Sequence, residues 1–251
     1  MLEKFKGSIK KGYRKVNGRD LFTYEYSKRG DATLLLHGGL SSTESWDWSI
    51  LPALKGRHTF AYDRSAHGRS AAHEGYYHFE FQTNEAIAFI EEIVGEPVHL
   101  IGWSDGGIIS LMIALKRPDL VRSIVSIGTN FHYSAVPQFE DEPIIELTDE
   151  DRAKWAARSP EAPHMQEVII RKAYEVWRKE PNMTTEDLAR IECPVLVLCG
   201  DQEPFSNTHT VELFEALPNA QLAIVPNATH AVMKEKPKTV QSIIKNFNKA
   251  L

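Results

Sequence analysis

Residues 98–111 read VHLIGWSDGGIISL. The stretch begins and ends as an apolar run. Between the runs lie Gly102, Ser104, Asp105, Gly106 and Gly107. The first run, 98–103, has the length and character of a buried strand. The second, 106–119, has that of a helix, stopped by Pro118. Gly102-Trp103-Ser104-Asp105-Gly106 therefore has the form G-x-S-x-G at a strand-to-helix turn, the context that a nucleophile elbow requires. Small neighbours let the chain turn sharply. The serine hydroxyl then stands at the C-terminal edge of a sheet and at a helix N-terminus, where backbone N–H groups stabilise negative charge.

Working outward, the same alternation recurs. Residues 8–16 and 20–26 read as strands around a hairpin turn at Asn17-Gly18. Further strands are expected at 33–36, 58–63, 121–128, 194–200 and 220–226. Helices are expected at 78–94, 208–217 and 238–249. Short apolar strands alternating with helices mean a mostly parallel sheet covered on both faces. The alternation lapses over 131–186, where charge, proline and aromatics crowd together in PQFEDEP, RAKWAARSPEAPHM and RKAYEVWRKEPNM. That segment is expected to be a helical cap inserted into one α/β core formed by 1–130 and 187–251.

Composition sets the bounds. The chain has 251 residues, 42% hydrophobic and 25% charged, with a formal net charge of −5. A chain of this length buries roughly 70–75% of its unfolded surface and needs no disulfide or metal staple. The negative charge argues against nucleic acid. Lys4, Lys6, Lys10, Lys11, Arg14 and Lys15 read as a solvated face of the first strand. The start has no apolar signal-peptide core, and no stretch is apolar enough for a membrane span. Cys193 and Cys199 flank PVLVL, so a strand there holds them about 20 Å apart at ~3.3 Å per residue. These features point to a reduced, cytoplasmic protein, a monomer or homodimer, with no membrane or nucleic-acid partner. HEGYYHFE (73–80) has no metal-ligand spacing, and neither metal nor cofactor is expected.

Three further pieces fit the elbow. His37-Gly38-Gly39-Leu40 follows the strand 33–36. Its backbone, at Gly39 or else Leu40, is expected to form an oxyanion hole with the N–H of Asp105. Among ten histidines, His230 in VPNATHAVMKEKP lies where a base belongs, after the last strand. A carboxylate must orient it. Asp201 and Glu203, both in the expected loop after residue 199, are the candidates.

With these residues the chain resembles the α/β-hydrolase fold superfamily over nearly its whole length. The order Ser104, acid, His230 is that family's order. DRSAHGRS (63–70) is similar to the family's D-x-R-G-x-G-x-S loop, departing from it at Ser65, read as standing for the glycine. The capped branch carries its insertion after the sixth strand and its acid three residues after the glycine closing the seventh. The resemblance therefore favours Glu203, counted from Gly200, over Asp201. GWSDGG is similar to the elbow of valacyclovir-hydrolase-like enzymes and related small esterases.

The resemblance implies a serine hydrolase acting on small-molecule esters through an acyl-enzyme. Asp105 is expected either to meet a cationic group on the substrate or to suit a helix N-terminus. Trp103, Trp155 and Trp177 are candidates to line the pocket. C–C bond hydrolysis of ring-cleavage products, peroxide-dependent chemistry and a slow-turnover ligand sensor are the alternatives on the same fold.

Overall fold

The computed structural model describes residues 10–136 and 144–251. Lys4, Lys6, the first two residues of the expected strand 8–16 and the segment PQFEDEP lie outside the described residues. The sheet has eight strands: β1 (Lys10–Val16), β2 (Arg19–Glu25), β3 (Ala32–Leu36), β4 (His58–Tyr62), β5 (Val98–Trp103), β6 (Val121–Ile127), β7 (Val195–Gln202) and β8 (Ala220–Thr229). Their spatial order is β1-β2-β4-β3-β5-β6-β7-β8. The β1–β2 and β2–β4 pairings are antiparallel and all others parallel. Asn17 and Gly18 turn the hairpin with φ of 47° and 76°, the left-handed pair that a two-residue turn needs.

The period-2 geometry of a strand explains why the apolar runs are unbroken. Leu34 and Leu36 enter one core with Leu100, Ile109 and Phe89. Leu35 enters the other with Ile101, Val125, Leu198 and Ile244. The first core is covered by α1 (Phe79–Phe89) and α2 (Asp105–Lys116). The expected helix 78–94 changes hand-hold at its end: residues 90–94 form a π turn closed by Gly95 at φ 76°. The expected helix 106–119 ends at Lys116, because Arg117 precedes a proline and leaves the helical region (φ −140°, ψ 66°).

Between β6 and β7 the chain forms α3 (Asp149–Ala156), α4 (Met165–Trp177) and α5 (Thr185–Leu188). Thr148 and Thr184 each start their helix with a capping box. The segment leaves and returns at one place. Met183 N–H donates to Phe131 O (3.0 Å), and Tyr133 N–H donates to Pro181 O (2.7 Å). No residue of it pairs with the eight-stranded sheet among the described residues.

The last part of the chain adds α6 (Asn207–Ala216), α7 (Val232–Glu235) and α8 (Pro237–Lys249). Pro237 opens α8, and Val240, Ile244 and Phe247 bury its apolar face at helical spacing. β7 and β8 run past their expected ends. A register shift between Gly200 and Gln202 lets Gln202 pair with Thr229, so Asp201 sits in an irregular strand end rather than in a loop. Cys193 and Cys199 are both free thiols. Among the described residues no helix is long and apolar enough to cross a membrane.

Candidate active site

Ser104 joins β5 to α2 with φ 54° and ψ −120°, a conformation that costs a non-glycine residue about 1–3 kcal/mol. The surroundings hold it there. Its N–H donates to Ile127 O (2.8 Å), and its carbonyl accepts from Gly107 N–H (2.8 Å) and Ile108 N–H (3.1 Å). The glycines are steric requirements. A Cβ on Gly102 would lie 2.1 Å from Gly106 O, and one on Gly106 would lie 1.8 Å from Leu36 O. Gly107, outside the G-x-S-x-G pattern, leaves room for Thr129 Oγ1, 1.9 Å from where its Cβ would be.

Beyond the ends of β7 and β8, Glu203 accepts a hydrogen bond from His230 Nδ1 at 2.5 Å through Oε2. Its other oxygen accepts from Gly200 N–H at 3.1 Å. The Glu203 side chain is wholly buried, while His230 is one-third exposed (33%). Donation from Nδ1 leaves Nε2 as the basic nitrogen of the neutral ring. The indole N–H of Trp103 donates to His230 O (3.0 Å), fixing the loop that carries the histidine. Gly128, at φ 57°, passes beside the pair; its Cβ would lie 3.0 Å from His230 Nδ1. Asp201 faces elsewhere. Its oxygens accept from Asn227 N–H (3.0 Å) and Ala228 N–H (3.1 Å), and these bonds hold its carboxyl below the usual range. Of the two candidates, Glu203 is thus the carboxylate brought to His230.

The loop after β3 faces the elbow. His37 is fully buried and carries its proton on Nδ1, against Gly38 O (2.8 Å), because Nε2 accepts from Arg64 N–H (3.1 Å). Burial and the neighbouring Arg64 push its pKa well down. Leu40, at φ 51°, gives its N–H to His67 Nε2 (3.2 Å). Of the two candidate oxyanion donors, Leu40 thus has its N–H already engaged by a side chain. A Cβ on Gly39 would meet Asp105 Oδ2 at 2.5 Å and Trp177 Cζ2 at 2.4 Å.

Residues 63–70 brace this loop. Asp63, buried, accepts from Thr43 N–H (2.9 Å) and Arg69 N–H (3.0 Å). Ser65 bonds through N–H and Oγ to the buried carboxylate of Glu85. The position that calls for glycine is Ala66, with φ 65°, and not Ser65. Arg64, wholly buried, donates from Nη2 to His37 O and Gly38 O, each at 3.0 Å.

The same Nη2 lies 3.7 Å from Asp105 Oδ2, and Trp177 Nε1 donates to Asp105 Oδ1 at 3.1 Å. Burial raises the Asp105 carboxyl above its ordinary range, while Arg64 and the indole draw it back. Asp105 thus begins α2 and also has partners for both oxygens.

Ser104, His230, Gly39 and Asp105 line one cavity of about 200 Å³, with Trp103, Ile108, Val136, Trp177 and Phe205 as apolar wall. Trp155 does not reach it. That indole lines a second cavity with Leu40, His67 and Ile169 and packs beside Ala66 and Tyr76. Val136, Asn130, Glu180 and Phe205 complete the wall of the first cavity, and no local pattern distinguishes them in the sequence. Among the described residues no group of three His, Cys, Asp or Glu is arranged to hold a metal ion.

The chain has known relatives. The mouse (Mus musculus) serine hydrolase BPHL is 28% identical over 232 residues, which cover 86% of this chain and 78% of that protein. The (E)-2-((N-methylformamido)methylene)succinate hydrolase of Acinetobacter baylyi is 23% identical, covering 92% of this chain and 95% of its own. Among solved structures, the enol-lactonase from Burkholderia xenovorans LB400 superposes with a TM-score of 0.75 at 17% identity, over 95% of this chain and 100% of that one. A family model described as alpha/beta hydrolase family matches residues 33–241, from β3 into α8, and this chain belongs to that family.

Proposed function

We propose that the protein is a serine hydrolase that cleaves small carboxylic esters through an acyl-enzyme. The observation that carries this reading is the bond from His230 Nδ1 to the buried Glu203 carboxylate in a site shared with a strained Ser104. His230 Nε2 takes the Ser104 proton as Oγ attacks the ester carbonyl carbon. The oxyanion is held by the N–H groups of Gly39 and Asp105. Its collapse breaks the bond to the alcohol oxygen, which receives the proton from His230. Water, deprotonated by the same imidazole, then attacks the acyl-serine and releases the acid. Glu203 keeps the imidazole in the tautomer that makes Nε2 basic and stabilises the imidazolium.

The walls bear on the substrate. The cavity is smaller than the roughly 300–1,000 Å³ of pockets for drug-sized ligands, which favours short acyl groups. Its charged wall residues are Asp105 and Glu180, and among the described residues no Lys or Arg lines it. A substrate carboxylate, such as that of a ring-cleavage product, would find no Lys or Arg partner in this wall. Neutral esters are therefore favoured over the C–C hydrolase alternative.

The test is hydrolysis of p-nitrophenyl acetate, butyrate and octanoate by the wild type and Ser104→Ala. Turnover that falls from acetate or butyrate to octanoate and vanishes in Ser104→Ala is expected. Turnover that persists in Ser104→Ala, or a wild type that neither turns over nor is labelled by a fluorophosphonate, would overturn the reading.

A further inference from the structure

Arg64 is an unusual group to find behind such a site. Its side chain is fully buried, and burial draws its pKa down. Nε and Nη1 have no hydrogen-bond partner among the described residues. Every polar contact of the side chain is made by Nη2: His37 O and Gly38 O at 3.0 Å, His37 Nδ1 at 3.5 Å and Asp105 Oδ2 at 3.7 Å. Glu85, the other acid whose charge acts on it, is engaged by Ser65. A buried cation placed for its own satisfaction would spread its donors over several acceptors. This one spends a single nitrogen on a single task.

That nitrogen touches both halves of the expected oxyanion hole. His37 O and Gly38 O belong to the two peptide groups that lead into Gly39, and the Gly38 carbonyl shares its peptide unit with the Gly39 N–H. Asp105 supplies the opposing N–H from the elbow. Trp177 of α4 adds a third element: its indole bonds the same carboxylate and packs where a Gly39 side chain would be. Neither half is tied to the other by a strand hydrogen bond here, because Gly38 and Gly39 lie past the end of β3 and Asp105 past the end of β5. The close approach of Gly106 to Leu36 O brings the two halves together, and side chains bridge the donors beyond it.

We propose that Arg64 is the positioning residue of the oxyanion hole. Its Nη2 aligns the Gly38–Gly39 peptide and, through Asp105, holds it at a fixed distance from the elbow. It follows that the Asp105 carboxylate is the counter-charge of Arg64 and not a receptor for a cation on the substrate. The inference rests on the acyl-enzyme reading above.

The test compares Arg64→Met, Asp105→Asn and the double variant Arg64→Met/Asp105→Asn. The kcat is expressed per active site, titrated with a fluorophosphonate. Loss of a single oxyanion donor costs about 10²–10³ in kcat. Arg64→Met is expected to lose about 10²-fold in kcat with KM within about threefold. Affinity for an arylboronic acid, which forms a tetrahedral anion on Ser104, should fall in parallel. A purely structural ion pair behaves differently in the double variant. Removing both charges restores the melting temperature, and a structural role would restore kcat with it. The proposal requires that kcat stay low while the melting temperature recovers.

If Arg64→Met does not fold, Asp105→Asn carries the test. It keeps the backbone donor and an acceptor for Trp177, and a kcat loss of about tenfold or more at nearly constant KM is expected. A kcat per titrated site within threefold of wild type in the double variant, or within twofold in Asp105→Asn, overturns the proposal. Failure of the wild type to be labelled or to turn over refutes the acyl-enzyme reading itself, and is seen before any variant is compared.

Discussion

Glu203→Gln replaces a carboxylate by a group of the same shape, and the hydrogen bonds at that position make the consequence calculable. Both oxygens of Glu203 accept: Oε2 from His230 Nδ1 and Oε1 from Gly200 N–H. A glutamine has one acceptor. With its oxygen toward His230, its NH₂ faces the Gly200 N–H, a buried donor against a donor, at about 1–3 kcal/mol. The imidazolium then also lacks its anion. With its NH₂ toward His230, Nδ1 must become an acceptor. The ring proton moves to Nε2, and the base is lost. Loss of the correct tautomer costs about 10⁴ in kcat, equivalent to about 5.5 kcal/mol at 1.36 kcal/mol per tenfold.

Asp201→Asn is the control. It disturbs the N–H groups of Asn227 and Ala228 and should lower the urea midpoint slightly while leaving kcat within threefold. Steady-state hydrolysis of p-nitrophenyl acetate, with urea melts of each variant, measures both effects. A Glu203→Gln enzyme within tenfold of wild type, beside an Asp201→Asn enzyme reduced 10³-fold, would refute the argument and move the acid to Asp201.

Other perturbations probe the same frame. Trp177→Phe removes a donor to a buried carboxylate and should lower unfolding free energy by about 1.5–3 kcal/mol in urea; a change under 0.5 kcal/mol would remove the indole's role in seating α4. Gly106→Ala pushes a methyl to within 1.8 Å of Leu36 O on β3, so a loss beyond about 3 kcal/mol, or no soluble protein, is expected on expression and melting. Burial pushes His67 down to about 3, and His99 and His209 down to about 4. The folded protein keeps these rings neutral, while the unfolded chain takes up protons near 6.5. Stability is therefore full above about pH 6.5 and falls below it toward the folded-state values, by at most about 1.4 kcal/mol per pH unit for the wholly buried His67 and by less for the solvent-screened His99 and His209. Urea midpoints at pH 7.5, 6 and 5 test this, and a flat profile over that range would contradict it.

The parts legible in the sequence were those whose cause is local. Parallel strands buried on both faces read as apolar runs, and helices between them as period-3.6 segments, so the α/β order of β3 to α8 followed directly. Ser104 stood out because a sharp turn needs Gly102 and Gly106 beside it, and His230 because of its place after the last strand. The parts that were not legible depend on contacts between distant residues. Asp201 and Glu203 differ only through the register shift that pairs Gln202 with Thr229 and turns Asp201 toward Asn227. The engagement of Leu40 N–H by His67, 27 residues away, leaves no local trace in the sequence. Arg64 reads as one more polar residue of DRSAHGRS until its burial is seen. Trp155 and Trp177 occupy similar aromatic stretches, and the docking of α3 and α4 alone decides which faces Ser104.

The β6–β7 pairing has a kinetic meaning. Ile124 aligns with Val195 across the whole inserted segment, while the base and its carboxylate lie beyond β7 and β8. Closing so long a loop is entropically slow, and contacts of high sequence separation form late in folding. The N-terminal half, with Ser104 and the loop after β3, can assemble before that closure occurs. Recovery of turnover after dilution from urea should accordingly lag behind recovery of helical circular dichroism. Doubling the segment between residues 131 and 186 adds about 0.6 kcal/mol of closure cost and should lengthen that lag about threefold.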